Sequence, residues 1–257
     1  MCIILFAYKV HPQYPLILLA NRDEYYQRPT LRAQFWPDHP HILGGRDGEK
    51  NGTWLGITTT GRFAAITNYR DPSLLRENPR SRGELVSNYL IGSENPKAYL
   101  NHVKANRESY NGFNLLVGDS TALYYYSQIT NSVQEVSPGI HGLSNRFLDT
   151  PWPKVVKGKS QLTNYLESSK VIDIELKKIL LDTEVAKDNE LPNTGVGLEF
   201  ERILSPIFIK SPDYGTRSST ILLVNHLAQV QLIEGSYLPE QDQWNEVSYQ
   251  FYICDGF

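Results

Sequence analysis

Runs of branched and aromatic residues from Ile3 to Val10 and from Pro15 to Ala20, separated by HPQY, predict a hairpin of two largely buried strands. A polar cluster, Asn21-Arg22-Asp23-Glu24, follows the second run directly. Apolar residues flanking a Thr-Thr-Gly turn predict a second hairpin from about Thr53 to Asn68. From Ser81 the period lengthens: Leu85, Val86, Tyr89 and Leu90 share one helical face, and a second helix is expected after Asn95-Pro96, with Asn95 as cap and Pro96 in the first turn. Phe113–Ser127 and Ser132–Asn145 return to strand patterning, Lys154–Leu166 and Ile174–Leu181 read as helices, and TRSSTILLVN, AQVQLIEGSY and EVSYQFYIC read as closing strands. The aromatic run Tyr124 to Tyr126 fits alternating faces of a core strand better than the wall of a lipid pocket. KDNELPNTGVGLE is polar and rich in turn residues, as an exposed loop should be. Blocks of strands joined as hairpins and separated by helices predict antiparallel sheets covered by helices, within a single domain over residues 1–257.

Composition narrows this picture. The 257 residues are 40% hydrophobic and 21% charged, enough apolar material for a packed core. A formal charge of −3 without long charge blocks gives no pull toward nucleic acid or anionic membrane. No apolar run approaches the roughly 18 residues that span a bilayer, and the opening run lacks the basic flank and cleavage site of a secretory signal. Two cysteines, Cys2 and Cys254, make no disulfide framework, so a reducing cytoplasmic setting and no integral membrane segment are expected.

Candidate chemistry gathers at strand ends. Loss of the initiator Met1 would leave a free α-amino group on Cys2, so that base and thiol share one residue; an α-amino group titrates near pH 8 and the thiolate is the attacking species. A buried small hydrophobe is the competing reading of Cys2. If the first two strands pair as a hairpin, the Asn21–Glu24 cluster lies beside Cys2, where Arg22 could hold a substrate carboxylate or lower the thiol pKa, and Asp23 or Glu24 could orient the α-ammonium. Asn68 and Asn145 end apolar segments and could donate to an oxyanion, although each alone also reads as a turn residue. Arg217, at the entry to a late strand, reads as an anion clamp or a surface charge. Asn21, Trp54 and Tyr69, at or beside these positions, are the candidate substrate contacts. His39 and His41 stand in DHPH, which reads as a solvated Pro-rich loop; no strong metal or nucleotide motif is present, and neither a metal nor another cofactor is expected.

Taken together, MCI, LLANRDE, GGRDGEKNGTWLG, AAITNYR, SRGELV, GLSNRFLDTPWPKV and YGTRSST resemble the NRDE-motif family, that of the transport and Golgi organisation proteins. The resemblance spans Met1 to Thr220 and implies an N-terminal-nucleophile hydrolase-like α+β fold, a four-layer αββα sandwich with two antiparallel sheets between helices. It implies Cys2 as nucleophile, Asn68 and Asn145 as oxyanion or amino-group partners, and Arg217 as a structural or activating charge. More distantly, the motif order is similar to that of penicillin V acylases and bile-salt hydrolases. Those enzymes carry an Arg, two intervening residues and an Asp in the second motif; aligned by strand end, Asn21 stands here in place of the Arg and Glu24 in place of the Asp. The implied activity is cleavage of an amide or thioester in a small-molecule acyl substrate through an acyl-enzyme on Cys2. The alternative is a non-catalytic carrier or chaperone of haem or of acyl and lipid metabolites in the same cleft.

Overall fold

The computed structural model describes residues 3–167 and 173–254, with 173 and 174 described by backbone alone. In chain order the strands are β1 (Ile3–Tyr8), β2 (Leu16–Tyr25), β3 (Thr30–Trp36), β4 (His39–Asp47), β5 (Leu55–Thr58), β6 (Phe63–Asn68), β7 (Phe113–Gly118), β8 (Leu123–Ser127), β9 (Ser132–Glu135), β10 (Gly139–Leu143), β11 (Tyr214–Val224), β12 (Gln229–Leu238) and β13 (Gln243–Tyr252). They form a six-stranded sheet, β10-β1-β2-β11-β12-β13, and a seven-stranded sheet, β3 through β9 in sequence order. Every pairing between named strands is antiparallel, as hairpin connections require.

Among the described residues five α-helices accompany the strands: α1 (Gly83–Ile91), α2 (Pro96–Ala105), α3 (Pro153–Leu166), α4 (Asp173–Leu180) and α5 (Leu198–Ile203). The first two pack on the seven-stranded sheet, while α3 and α4 pack on the six-stranded sheet, which completes the αββα order. The cap of α2 is the expected one, with the Asn95 side chain accepting from the Ala98 N–H and Pro96 in the first turn. Among the described residues no helix is long and apolar enough to cross a membrane.

Strand alternation divides the apolar residues between two cores. Ile4, Phe6 and Tyr8 of β1 and Leu16, Leu18 and Ala20 of β2 face the opposing sheet. Ile3, Leu5, Ala7, Ile17 and Leu19 face α3 and α4. Tyr125 and Tyr126 are core residues, so the aromatic run serves packing.

Three expectations need correction. The polar cluster Asn21–Glu24 does not follow β2 but forms its last turn of pleats, because its backbone pairs with β11 as Asn21–Ser219, Arg22–Ser218, Asp23–Thr216 and Glu24–Gly215. His39 and His41 are not in a solvated loop but open β4, which pairs with β3 across Pro37-Asp38. That hairpin escapes a period-two reading because its register shifts twice, between Leu31 and Gln34 and between Phe35 and Trp36. The loop expected at 187–199 is broken by a short helical turn, Asp188–Glu190, and by the start of α5.

Gly45 in β4 lies against the ring of Trp54, where a Cβ would overlap the indole. Trp54 in turn lies 4.3 Å under the Arg22 guanidinium. Gly45→Ala should therefore overpack the sandwich, destabilising it by about 1–3 kcal/mol in urea unfolding and displacing Trp54 from Arg22, which its near-ultraviolet circular dichroism would report; an unchanged midpoint and spectrum would contradict the close approach.

Candidate functional site

The start of β1, the end of β2, the end of β6 and the exit of β10 meet at one end of the sandwich. The pairing Ile3–Asn21 sets the first described residue of β1 opposite the polar cluster, and Ile4–Leu143 sets its other flank beside Ser144 and Asn145. The Asn145 side chain donates from Nδ2 to the Asn68 carbonyl at 2.9 Å, joining the β6 and β10 ends across the two sheets. Cys2 lies outside the described residues.

Alternation splits the polar cluster. Arg22 and Glu24 continue the inter-sheet face of Leu18 and Ala20, whereas Asn21 and Asp23 continue the helix-facing side of Ile17 and Leu19. Arg22 is 4% exposed; it donates to Thr30 Oγ1 at 3.0 Å and to Asp47 at 3.3 Å, and its guanidinium stacks on Trp54. Burial lowers its pKa while Glu24 and Asp47 oppose that shift, so the charge is held by its carboxylate neighbours. Glu24 accepts from the Tyr25 N–H and lies 3.9 Å from Arg28. Arg28 grips the same Asp47 through two bonds, at 2.6 and 3.1 Å.

On the other face, Asn21 is fully buried; it donates to the Leu180 and Ile207 carbonyls at 2.8 Å each and accepts from Ser219 Oγ at 2.7 Å. Its donors and acceptor are committed to holding α4 and the segment before β11 on the sheet, so the expected substrate contact is not made by this side chain. Asp23 is also buried. One of its oxygens accepts from Thr216 Oγ1 at 2.7 Å, and the other, Oδ2, has no hydrogen-bond partner among the described residues. Arg217 occupies the bulge between Thr216 and Ser218, and its Nη1 donates to the carbonyls of Tyr25, Tyr26 and Arg28. It is a brace for the turn after β2, with its pKa lowered by burial.

Two cavities open here. A 210 Å³ cavity is lined by Arg22, Glu24, Arg28, Asp47, Lys50, Trp54, Arg80 and Arg82 among others, with cations in excess of carboxylates. A 580 Å³ cavity, more apolar, is lined by Tyr69, Asn145, Pro72, Leu75, Phe200 and Tyr214 among others. Asn68 and Arg82 line both, so the two meet at that point. Of the expected substrate contacts, Trp54 lines the basic cavity and Tyr69 the apolar one.

Sequence reading missed Asp47 and Arg70. Asp47 anchors both Arg22 and Arg28, and its signal was the carboxylate that ends GGRD. Arg70, which closes AAITNYR, donates from Nη2 to Asn145 Oδ1 at 3.1 Å and pairs through Nη1 with Glu201 at 2.9 Å.

The loop carrying Asn145 is clasped at its far end. Asp149, at φ +59°, accepts from His141 Nδ1 at 2.7 Å, from the Gly142 N–H at 2.9 Å and from Lys159 Nζ at 2.6 Å. His141 Nε2 meets the Ser137 carbonyl at 2.9 Å, so both ring nitrogens face acceptors and the imidazolium is the form that satisfies them. The Asp149 bond raises the His141 pKa against burial. Burial alone would raise the Asp149 pKa, but its three donors bring it down to about 2.

The sequence model of the family described as Transport and Golgi organisation 2 matches residues 1–239. The human Transport and Golgi organization protein 2 homolog is 37% identical over 273 residues, which cover 98% of this chain and 99% of that protein. The Bos taurus homolog is 36% identical over the same shares. Among solved structures, a mutant of the conjugated bile acid hydrolase from Clostridium perfringens superposes with a TM-score of 0.52 over 100% of this chain and 98% of that one, at 9% identity. Another variant of that hydrolase gives 0.50, also at 9% identity. At such identity the likeness is one of fold, two antiparallel sheets between layers of helices.

The His141–Asp149 clasp gives a pH signature of its own. A raised histidine pKa contributes stability that is full below about pH 6.5 and is lost as pH rises through the folded value; a depressed aspartate pKa contributes stability present above about pH 4 and lost toward the acid side. The difference in urea unfolding free energy between the wild type and His141→Gln should therefore be largest between those limits and shrink above them. A difference that stays constant from pH 5 to about pH 9 would contradict the clasp.

Proposed function

The chain belongs to the Transport and Golgi organisation 2 family and has the N-terminal-nucleophile hydrolase fold, and on that footing we propose that it is an amidase-type hydrolase, cleaving a C–N bond other than a peptide bond through an acyl-enzyme on Cys2. The observation that carries the reading is the meeting of the β1, β2, β6 and β10 ends where a basic and an apolar cavity join. Asp23 Oδ2, buried without a hydrogen-bond partner among the described residues, is the acceptor this reading assigns to the α-ammonium that removal of Met1 would free, and Arg22 the charge it assigns to the thiol.

The chemistry follows from those assignments. The α-amino group takes the thiol proton, and Arg22 favours the thiolate. The thiolate adds to the substrate carbonyl, forming a C–S bond, and the side-chain amides of Asn68 and Asn145 stabilise the oxyanion. As the tetrahedral adduct collapses the C–N bond breaks, and the amine leaves with the proton held by the α-ammonium. Water then attacks the thioester, releasing the acid and returning the proton to sulfur. The apolar cavity fits the acyl portion and the basic cavity a polar or anionic amine portion. A reducing cytoplasm keeps such a thiol active.

Purified protein should lack Met1 by intact mass, and brief exposure to N-acyl amides of different chain lengths should leave an acyl adduct on the N-terminal residue. Cys2→Ala should abolish both adduct and turnover. Quantitative retention of Met1 in active protein, or unchanged turnover in Cys2→Ala, would sink the mechanism. Saturable binding of haem or acyl-CoA without turnover would instead favour a carrier using the same cleft.

A further inference from the structure

Residues 193–204 run along one rim of the apolar cavity, to which they contribute Val196, Phe200, Ile203 and Leu204. Large apolar side chains in the lining lie exposed: Phe200 at 60% on this segment, and Leu75 at 69% and Tyr25 at 62% outside it. Such side chains line an open cavity at a cost in apolar hydration, which an apolar ligand or closure over the cavity removes.

Gly195 and Gly197 both have φ of +87°, a conformation that favours glycine, and they have almost nothing around them: a Cβ on Gly197 would meet no atom within 4 Å, and one on Gly195 only Pro72, at 3.8 Å. At the far end Lys154 Nζ holds the Leu204 carbonyl at 2.8 Å. Between the glycines and this anchor two side chains hold the segment to the rest of the chain: Arg202 pairs with Asp188, and Glu201, which also closes the segment on its own Thr194, reaches Arg70. Glu201 is 3% exposed; its Oε1 accepts from the Thr194 N–H at 2.8 Å and from Thr194 Oγ1 at 2.6 Å, and its Oε2 pairs with Arg70. The second arm of the Arg70 guanidinium reaches Asn145 Oδ1, and its plane lies 5.0 Å from the Trp152 ring. The Arg70 backbone N–H also donates to the Asn145 carbonyl at 2.8 Å.

We propose that residues 193–204 form a strap that folds over the apolar portion of the substrate, latched by Glu201, and that Arg70 is the positioning residue joining the strap to Asn145. The strap stands on the cavity and the latch alone; the part played by Asn145 rests on the hydrolase reading above. One guanidinium fork holds the latch and the amide together, so the orientation of Asn145 follows the seating of the strap. Selectivity should accordingly favour acyl groups long enough to reach Phe200 and Leu75.

Decanoate and acetate serve as probes, with hydrogen exchange followed over 193–204 and the side-chain amide resonance of Asn145 followed by NMR. Decanoate should bind, protect 193–204 from exchange and shift the Asn145 amide, whereas acetate should do none of these. Glu201→Gln should weaken decanoate binding roughly tenfold and remove the protection. Gly197→Ala crowds no neighbour but strains the backbone at φ +87°, and should weaken binding in the same direction. Arg70→Lys keeps a cation for Glu201 but loses the fork, so it should retain decanoate protection, move the Asn145 resonance and lower kcat with KM little changed. Decanoate binding without protection of 193–204, or wild-type affinity in both Glu201→Gln and Gly197→Ala, would overturn the strap whatever the turnover. An unmoved Asn145 resonance in Arg70→Lys would overturn the link. A strap that behaves as described in a protein with no turnover on any amide would overturn the hydrolase reading only.

Discussion

The period-two pleat of β2 is the constraint on which the site depends. Leu16, Leu18 and Ala20 must face the opposing sheet and Ile17 and Leu19 the helices, so the same alternation sends Arg22 and Glu24 one way and Asn21 and Asp23 the other. A slip of one residue would drive five apolar side chains to the wrong layer and exchange the two polar pairs. Four consecutive polar residues are thereby given two occupations: Asn21 fastens the helical layer to the sheet, and Arg22 enters the space between the sheets. Packing of the hydrophobic part of the strand positions the chemical part without any further device.

Burying charge is costly unless each group is paired, and the inter-sheet space is furnished accordingly. Asp47 serves two guanidiniums, Arg22 and Arg28. Glu234 of β12 is fully buried; burial pushes its carboxyl up to about 7 against the effect of the Ala33 N–H, the Thr220 hydroxyl and Arg22. Its bond to Ala33 at 2.6 Å links the six-stranded sheet to β3 of the other, so the sandwich has a polar tie as well as an apolar filling. Arg70 and Glu201 play the same part at the cavity rim. These ties fall near the cavities, where the apolar core gives way to groups that must stay solvated or bonded.

Much of the fold was legible because its signals are local. The hairpin from Ile3 to Ala20, the capped helix at Asn95-Pro96 and the helical face of Leu85, Val86, Tyr89 and Leu90 need only near neighbours in sequence. The β3–β4 hairpin was not legible, since two register shifts erase its alternation and His39 and Pro40 resemble a loop. In the site, Asn68 and Asn145, singled out as strand ends, line the cavities. What sequence could not supply was direction: Asn21 and Arg22 are adjacent letters with opposite outlooks, and the value of Asp47 and Arg70 comes from partners 25 and 75 positions away. Such pairs exist only once the sheets have closed.

The brace made by Arg217 differs in kind from the other charged contacts. Its Nη1 is spent on the carbonyls of Tyr25, Tyr26 and Arg28, which are dipoles and not acids. A guanidinium stays protonated across the whole working range, and a carbonyl has no proton to gain, so neither side of the contact titrates. Counterions that screen surface ion pairs have little purchase on a half-buried cation held by peptide dipoles. The turn that delivers Arg28 to Asp47 therefore keeps its shape in acid, in base and in brine, and the electrostatics of the cleft can vary with its surroundings while its frame does not.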